Sequence, residues 1–138
     1  MTEDYIPSQI ILDYYTNPVN YGVLKPFDIK IIGKNKNCTD IVSIYLKLST
    51  DFVIKKISFE HSGCVISKAG MCVLTELLEN KSLDQILFFD DKLITDNLGG
   101  VLQTRIRCAF LGLNLLKEVA KDILKKKPIF PKTYLFEI

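Results

Sequence analysis

Ser62-Gly63-Cys64-Val65-Ile66-Ser67 marks the point where the period of the sequence changes. Upstream, Val53, Ile57 and Phe59 form an alternating apolar run, the pattern of a half-buried strand. Downstream, Ile66, Ala69, Val73 and Leu77 recur at helical spacing, with Met71, Leu74 and Leu78 making the helix apolar on most sides. The stretch is a strand-to-helix junction with Gly63 as the breaker, and Cys64 stands at the start of a helix that should lie buried against a sheet.

Working back from the junction, Val42, Ile44, Leu46 and Leu48 alternate with Ser43, Tyr45 and Lys47, and Phe27, Ile29 and Ile31 alternate before the turn-prone Gly33-Lys34-Asn35-Lys36-Asn37. With Ser49-Thr50-Asp51 as the second turn, the simplest assembly is a three-stranded antiparallel meander. A first helix is expected from Pro7 to Thr16, stopped by Asn17-Pro18 and followed by the turn-rich Pro18-Val19-Asn20-Tyr21-Gly22. Forward of the junction, Ser82-Leu83-Asp84-Gln85 has the form of a capping box and opens a short helix to about Phe89. Asp96 to Gly100 reads as a loop. Beyond Thr104, Ile106, Ala109, Phe110, Leu113, Leu116, Ala120, Ile123 and Leu124 predict the longest helix, whose three lysines, Lys125 to Lys127, suit the negative end of its dipole before Pro128 stops it. The tail Ile129 to Ile138, with Phe130, Tyr134 and Phe136, is expected to pack back on the body. The fold class is α+β: a three-stranded antiparallel sheet with about four helices packed against it, in one domain spanning 1–138.

Composition narrows the function classes. An apolar share of 48% and a charged share of 25% suit a soluble domain that builds its own core. A net charge of only +2 gives no field for nucleic acid or an anionic membrane surface, so neither is expected as a partner. The start, Met1 to Gln9, is acidic where a secretory signal would be basic and then apolar, and no apolar run approaches the roughly 18 residues of a membrane span. The expected location is the cytoplasm, where four cysteines are kept reduced and serve metal binding, catalysis or burial instead of disulfides.

Cys38, Asp40, Cys64 and Cys108 each stand at the end of an element. Cys64 and Cys108 fall in the first turn or so of expected helices, where unpaired N–H groups favour a thiolate. Cys38 and Asp40 are two apart, so in an extended segment they share a face and reach one ion. Three sulfurs and one carboxylate suit zinc or iron–sulfur chemistry and argue against magnesium or calcium. The spacings alone leave open that the thiols are small buried hydrophobes. Cys72, two helical turns past Cys64 on the apolar helix, is expected in the core. His61, the single histidine, reads as a strand-end residue beside the site, with neutral imidazole ligation as the sharper alternative. Arg105 and Arg107 flank Cys108 and either hold a sulfur anion or cover a surface.

The segments Pro18 to Leu24 (PVNYGVL), Gly33 to Asp40 (GKNKNCTD), Ser62 to Ala69 (SGCVISKA) and Arg105 to Leu111 (RIRCAFL) occur in the order and approximate spacing of the iron–sulfur cluster assembly scaffolds, the IscU, SufU and NifU amino-terminal family. The resemblance runs from about Ile10 to Leu124 and implies cluster or zinc ligands at Cys38, Asp40, Cys64 and Cys108. It implies a scaffold that takes sulfur from a cysteine desulfurase, with Cys38 and Cys108 as candidate persulfide acceptors, holds an iron–sulfur cluster transiently and passes it to apo iron–sulfur proteins. The alternative it implies is a zinc-bound SufU-type sulfurtransferase that stimulates the desulfurase; the blandest reading is a structural zinc module. The chain departs from the family pattern at Thr39 and His61, where glycines are usual, and at Arg107, where IscU-type members carry histidine. It also lacks their Leu-Pro-Pro-Val-Lys motif, while the interval from Cys64 to Cys108 is short for the insertion typical of SufU members.

Overall fold

The structure is a computed structural model that describes residues 8–35, 40–101 and 106–137. Its elements run α1 (Gln9–Thr16), β1 (Ile29–Asn35), β2 (Asp40–Leu48), β3 (Ile54–Ser62), α2 (Val65–Leu78), α3 (Leu83–Leu87), α4 (Lys92–Asn97), α5 (Ile106–Lys126) and β4 (Lys132–Glu137). The expected α+β class stands, with two corrections. The sheet has four strands in the order β3-β2-β1-β4 and is mixed, because β4 pairs parallel to β1 while the other pairs are antiparallel. The described residues also hold five helices where about four were expected.

Both corrections have local causes. The tail does pack back, as expected, but as an edge strand in which Tyr134 pairs with Ile31 and Phe136 with Gly33. The long α5 carries the chain back along the sheet before β4, so the strand enters parallel to β1. Tyr134 Oη donates to Asp122 Oδ2 at 2.6 Å and fixes the strand to α5. α4 is a six-residue helix whose N-cap Asp91 makes no side-chain capping bond, so its start carries little signal, and its C-terminal residues Asp96 and Asn97 occupy part of the expected loop. Gly33, expected in a turn, lies within β1; a Cβ there would collide with the Leu115 side chain, so the glycine marks where α5 presses on the sheet.

The remaining elements follow their sequence signals. Ser8 caps α1, its Oγ accepting from Ile11 N at 3.2 Å and donating to the Leu98 carbonyl at 2.8 Å. Ser82 and Gln85 form the expected capping box on α3. Ile29, Ile31, Val42, Ile44, Leu46, Ile57 and Phe59 make the inner face of the sheet, each at most 5% exposed. α2 and α5 pack against it and each other, and their crossing is tight. A Cβ on Gly70 would stand 2.7 Å from the Ala109 carbonyl oxygen, and one on Gly112 would collide with Met71 Sδ. Glycine at these positions lets the two backbones approach.

Candidate metal and sulfur site

The site lies at one end of the buried sheet face. Val42 pairs with His61 across β2 and β3, so the two side chains share a face, and Asp40, two residues before Val42, points to it as well. Alternation therefore places a carboxylate and an imidazole at the end of an otherwise apolar surface. The Asp40 side chain is 0% exposed and that of His61 1%, with His61 Nε2 3.7 Å from Asp40 Oδ1.

Gly63 then turns the chain at φ 132° and Cys64 becomes the N-cap of α2. Its side chain makes no capping bond, so the thiol is not used up in closing the helix. Its backbone N–H instead donates to Asp40 Oδ1 at 2.6 Å. The other carboxylate oxygen, Asp40 Oδ2, is buried and has no hydrogen-bond partner among the described residues. An orphaned buried carboxylate oxygen is costly unless something with positive charge meets it.

His61 is held from both sides. The Tyr21 hydroxyl accepts from the His61 N–H at 3.3 Å and donates to its carbonyl at 3.2 Å, and Nε2 hydrogen-bonds with the buried Ser67 Oγ at 3.0 Å. Burial pushes the imidazole below its ordinary pKa, with the Asp40 carboxylate pulling it back up and Lys68 pushing it further down. His61 is therefore neutral at physiological pH and keeps a lone pair. Lys68, one turn beyond Cys64, sits over the rings of Tyr15 at 4.7 Å and Tyr21 at 4.9 Å, tying α1 and the Asn20–Gly22 segment to the start of α2.

The expected site residues are thus placed unequally. The Asp40 and His61 side chains face each other, and the Cys64 backbone N–H reaches the same carboxylate. Cys108 is 3% exposed in the first described turn of α5, next to the Ala109 that meets Gly70, so the helix crossing sets its position relative to α2. Arg107 is exposed on α5. Cys38 and Arg105 lie outside the described residues, Cys38 in the interval between the last β1–β2 partners, Asn35 and Asp40. Among the described residues no three His, Cys, Asp or Glu side chains form a group that could hold a metal ion. Cys72 is in the core as expected, fully buried, with its thiol pushed up to about 11 by that burial. Sequence reasoning missed Tyr21 and Ser67, although both stand inside motifs that it singled out.

The donor chemistry fits a thiophilic ion. Cys64 and Cys108 are thiols in no disulfide, and Asp40 Oδ2 is a buried oxygen with no hydrogen-bond partner among the described residues. A model of the NifU-like N-terminal domain matches residues 6–129. The chain belongs to the NifU-like N-terminal domain family. It is 33% identical over 120 residues to the iron–sulfur cluster assembly scaffold protein IscU of Aquifex aeolicus, covering 85% of this chain and 75% of that one. It is 31% identical over 139 residues to the zinc-dependent sulfurtransferase SufU of Bacillus subtilis, covering 86% and 92%. The fold matches the N-terminal part of a nitrogen-fixing NifU-like protein from Brucella abortus with a TM-score of 0.70 at 18% identity, over 86% of this chain and 94% of that one. No described helix of this family member is long and apolar enough to cross a membrane.

Proposed function

We propose that the chain is an iron–sulfur cluster assembly scaffold, which accepts sulfur from a cysteine desulfurase, builds a cluster on Cys38, Asp40, Cys64 and Cys108, and passes it to apo-proteins. The observation that carries this reading is Asp40 Oδ2, buried without a hydrogen-bond partner among the described residues beside the N-cap Cys64. A weak oxygen donor among sulfurs suits a site that releases its cargo, because exchange starts at the weakest ligand.

Sulfur delivery is thiol exchange. The thiolate of Cys38 or Cys108 attacks the outer sulfur of the desulfurase persulfide, the S–S bond breaks, and its electron pair leaves on the desulfurase cysteine as thiolate. The acceptor then carries the persulfide, and a reductant takes its outer sulfur to sulfide as ferrous iron is bound. Lys68, held between Tyr15 and Tyr21 one turn beyond Cys64, supplies positive charge close to the incoming anion.

A second reading is supported by the similarity to SufU, which spans 92% of that relative. In it a zinc ion stays bound by the same residues, one cysteine leaves it to take the sulfur, and the product is faster desulfurase turnover.

One anaerobic experiment separates them. The chain is mixed with a cysteine desulfurase, cysteine, ferrous iron and a reductant, and visible sulfur-to-iron charge-transfer absorption is followed together with turnover. A chromophore on this chain that is lost in Cys64→Ser supports the scaffold. Accelerated turnover with zinc retained and no chromophore overturns it in favour of the sulfurtransferase.

A further inference from the structure

The sheet has two edges, and the fold treats them differently. At β3, Phe59 donates its N–H to the Asn20 carbonyl at 3.1 Å and accepts from the Gly22 N–H at 2.8 Å, Ile54 donates to the Lys81 carbonyl at 2.8 Å, and the Tyr21 hydroxyl takes up both backbone groups of His61. That edge is covered. At β4, the other end of the order β3-β2-β1-β4, Thr133 and Leu135 meet no such cover among the described residues. The strand also lies beyond the residues that the family model matches, so family membership does not account for it.

The phase of the strand shows which groups are on offer. The Lys132 N–H donates to the Asp28 carbonyl at 2.9 Å, so Lys132, Tyr134 and Phe136 turn their backbone groups to β1, whereas Thr133 and Leu135 turn theirs to the open side. Natural sheet edges are blunted by charges, proline or bulges. Thr133-Tyr134-Leu135-Phe136 has none of these: it is uncharged, and its register with β1 is unbroken. Leu135 is 67% exposed on the outer face of the sheet, beside the half-buried Ile32 of β1.

We propose that β4 is a dimerisation strand, through which two copies of this chain pair antiparallel about a twofold axis and join their sheets into one. The strand complements itself. A continuous sheet sets outer residues opposite outer ones, which leaves two central registers. With Tyr134 on the axis, Leu135 would face the partner's Thr133 and Glu137 the partner's Pro131, which has no N–H to give. With Leu135 on the axis, it exchanges backbone hydrogen bonds with the partner's Leu135, and Ile32, Leu135 and their two symmetry mates make one apolar row across the outer face. The next row runs Lys34, Glu137, the partner's Thr133 and the partner's Lys30, an acid with a lysine on either side. On the inner face Tyr134 stands opposite the partner's Phe136, extending the stack that the two rings already form within one chain at 6.4 Å and 9°. The second register satisfies every position and is the one assigned.

The arrangement leaves the candidate site open. Glu137 pairs with Lys34, and Asn35 with Asp40, so β4 ends at the same end of the sheet as Asp40. Because the two β4 strands run in opposite directions, the two sites stand at opposite ends of the joined sheet. The dimer therefore presents two separate sites, and the proposal is independent of what they bind.

The test is the mass of the whole chain in solution, by sedimentation velocity and light scattering over a concentration series up to millimolar. Wild type is compared with Leu135→Lys, which sets two lysines face to face on the axis, and with Thr133→Pro, which removes an N–H that β1 does not use. Circular dichroism and a thermal melt check each fold, and Thr133→Lys, at an exposed side chain, replaces a variant that unfolds. The expected result is twice the chain mass for wild type and a folded species of single-chain mass for the variants at the same concentration. Wild type of single-chain mass throughout the series overturns the proposal and leaves the edge for a strand of another protein. A dimer that survives both variants places the contact elsewhere and overturns it as well, and a mass above two chains overturns the closed twofold pairing.

Discussion

Gly63 and Asp40 are packed so closely that no side chain fits between them. A Cβ built on Gly63 would collide with Asp40 Oδ1 and lie 3.0 Å from Asp40 Cα, and the residue's φ of 132° is itself one that side chains rarely adopt. The contact is what lets the Cys64 N–H reach Oδ1 at 2.6 Å. Gly63→Ala is therefore expected to do two things. It should cost about 1–3 kcal/mol of stability from backbone strain and overpacking, measured by denaturant melts. It should also displace the carboxylate from Cys64 and weaken metal retention, measured by competition with a chelator.

The second glycine of consequence acts at a distance. Gly70→Ala raises helix propensity by up to about 1 kcal/mol, yet its Cβ would stand 2.7 Å from the Ala109 carbonyl oxygen, a backbone atom that cannot rotate away. Overpacking against backbone costs about 1–3 kcal/mol, so the clash wins and the variant should be less stable than wild type. Because Cys108 adjoins Ala109, the same shift should lower cluster formation. A more stable, fully active variant would show that the crossing has slack.

These contacts also show what was legible in the sequence. The strand-to-helix junction at Gly63 and Cys64 was readable, because the change from alternating to helical spacing is sharp there. β4 was not: its inward side chains, Tyr134 and Phe136, are half-buried at a sheet edge, and its parallel pairing depends on the return path of α5, which no local pattern encodes. Gly33 misled for a related reason, since a glycine that admits a crossing helix looks the same in sequence as one that makes a turn. At the site, the two-residue spacing of Cys38 and Asp40 is legible in the sequence, whereas the Tyr21 clamp on His61 joins segments 40 residues apart and has no periodic signal.

The cysteines should separate by reactivity and by pH. Cys72 is fully buried, with its thiol raised to about 11, chiefly by that burial; Cys64 is only half-buried. Alkylation of the metal-free chain at pH 8 should modify Cys64 well before Cys72, read by peptide mapping. The linkage sign follows from the raised value. The folded state resists losing the Cys72 proton, so its contribution to stability is whole below about pH 9 and lost as pH rises toward 11. Cys72→Ala should lose less stability than wild type between pH 9 and pH 11, though it starts lower because of the cavity it leaves.

Metal removal tests whether the ion builds the fold or only uses it. The core runs from Ile11 through the sheet to Ile123, with Cys108 only one of its many members and Cys64 packed at its margin, and Asp40 Oδ1 is already held by the Cys64 N–H with no ion needed to place it. A chelated sample should therefore keep its far-ultraviolet circular dichroism and melt cooperatively, with a midpoint lowered only by the mass-action contribution of the lost ligand, which is about 2.7 kcal/mol at a metal concentration 100 times Kd. Unfolding on chelation would mean that binding energy is folding energy, as in small zinc modules, and would turn the site from a workplace for sulfur and iron into a structural clasp. The placement of Asp40 at the rim of a complete apolar face is the physical reason to expect the first result.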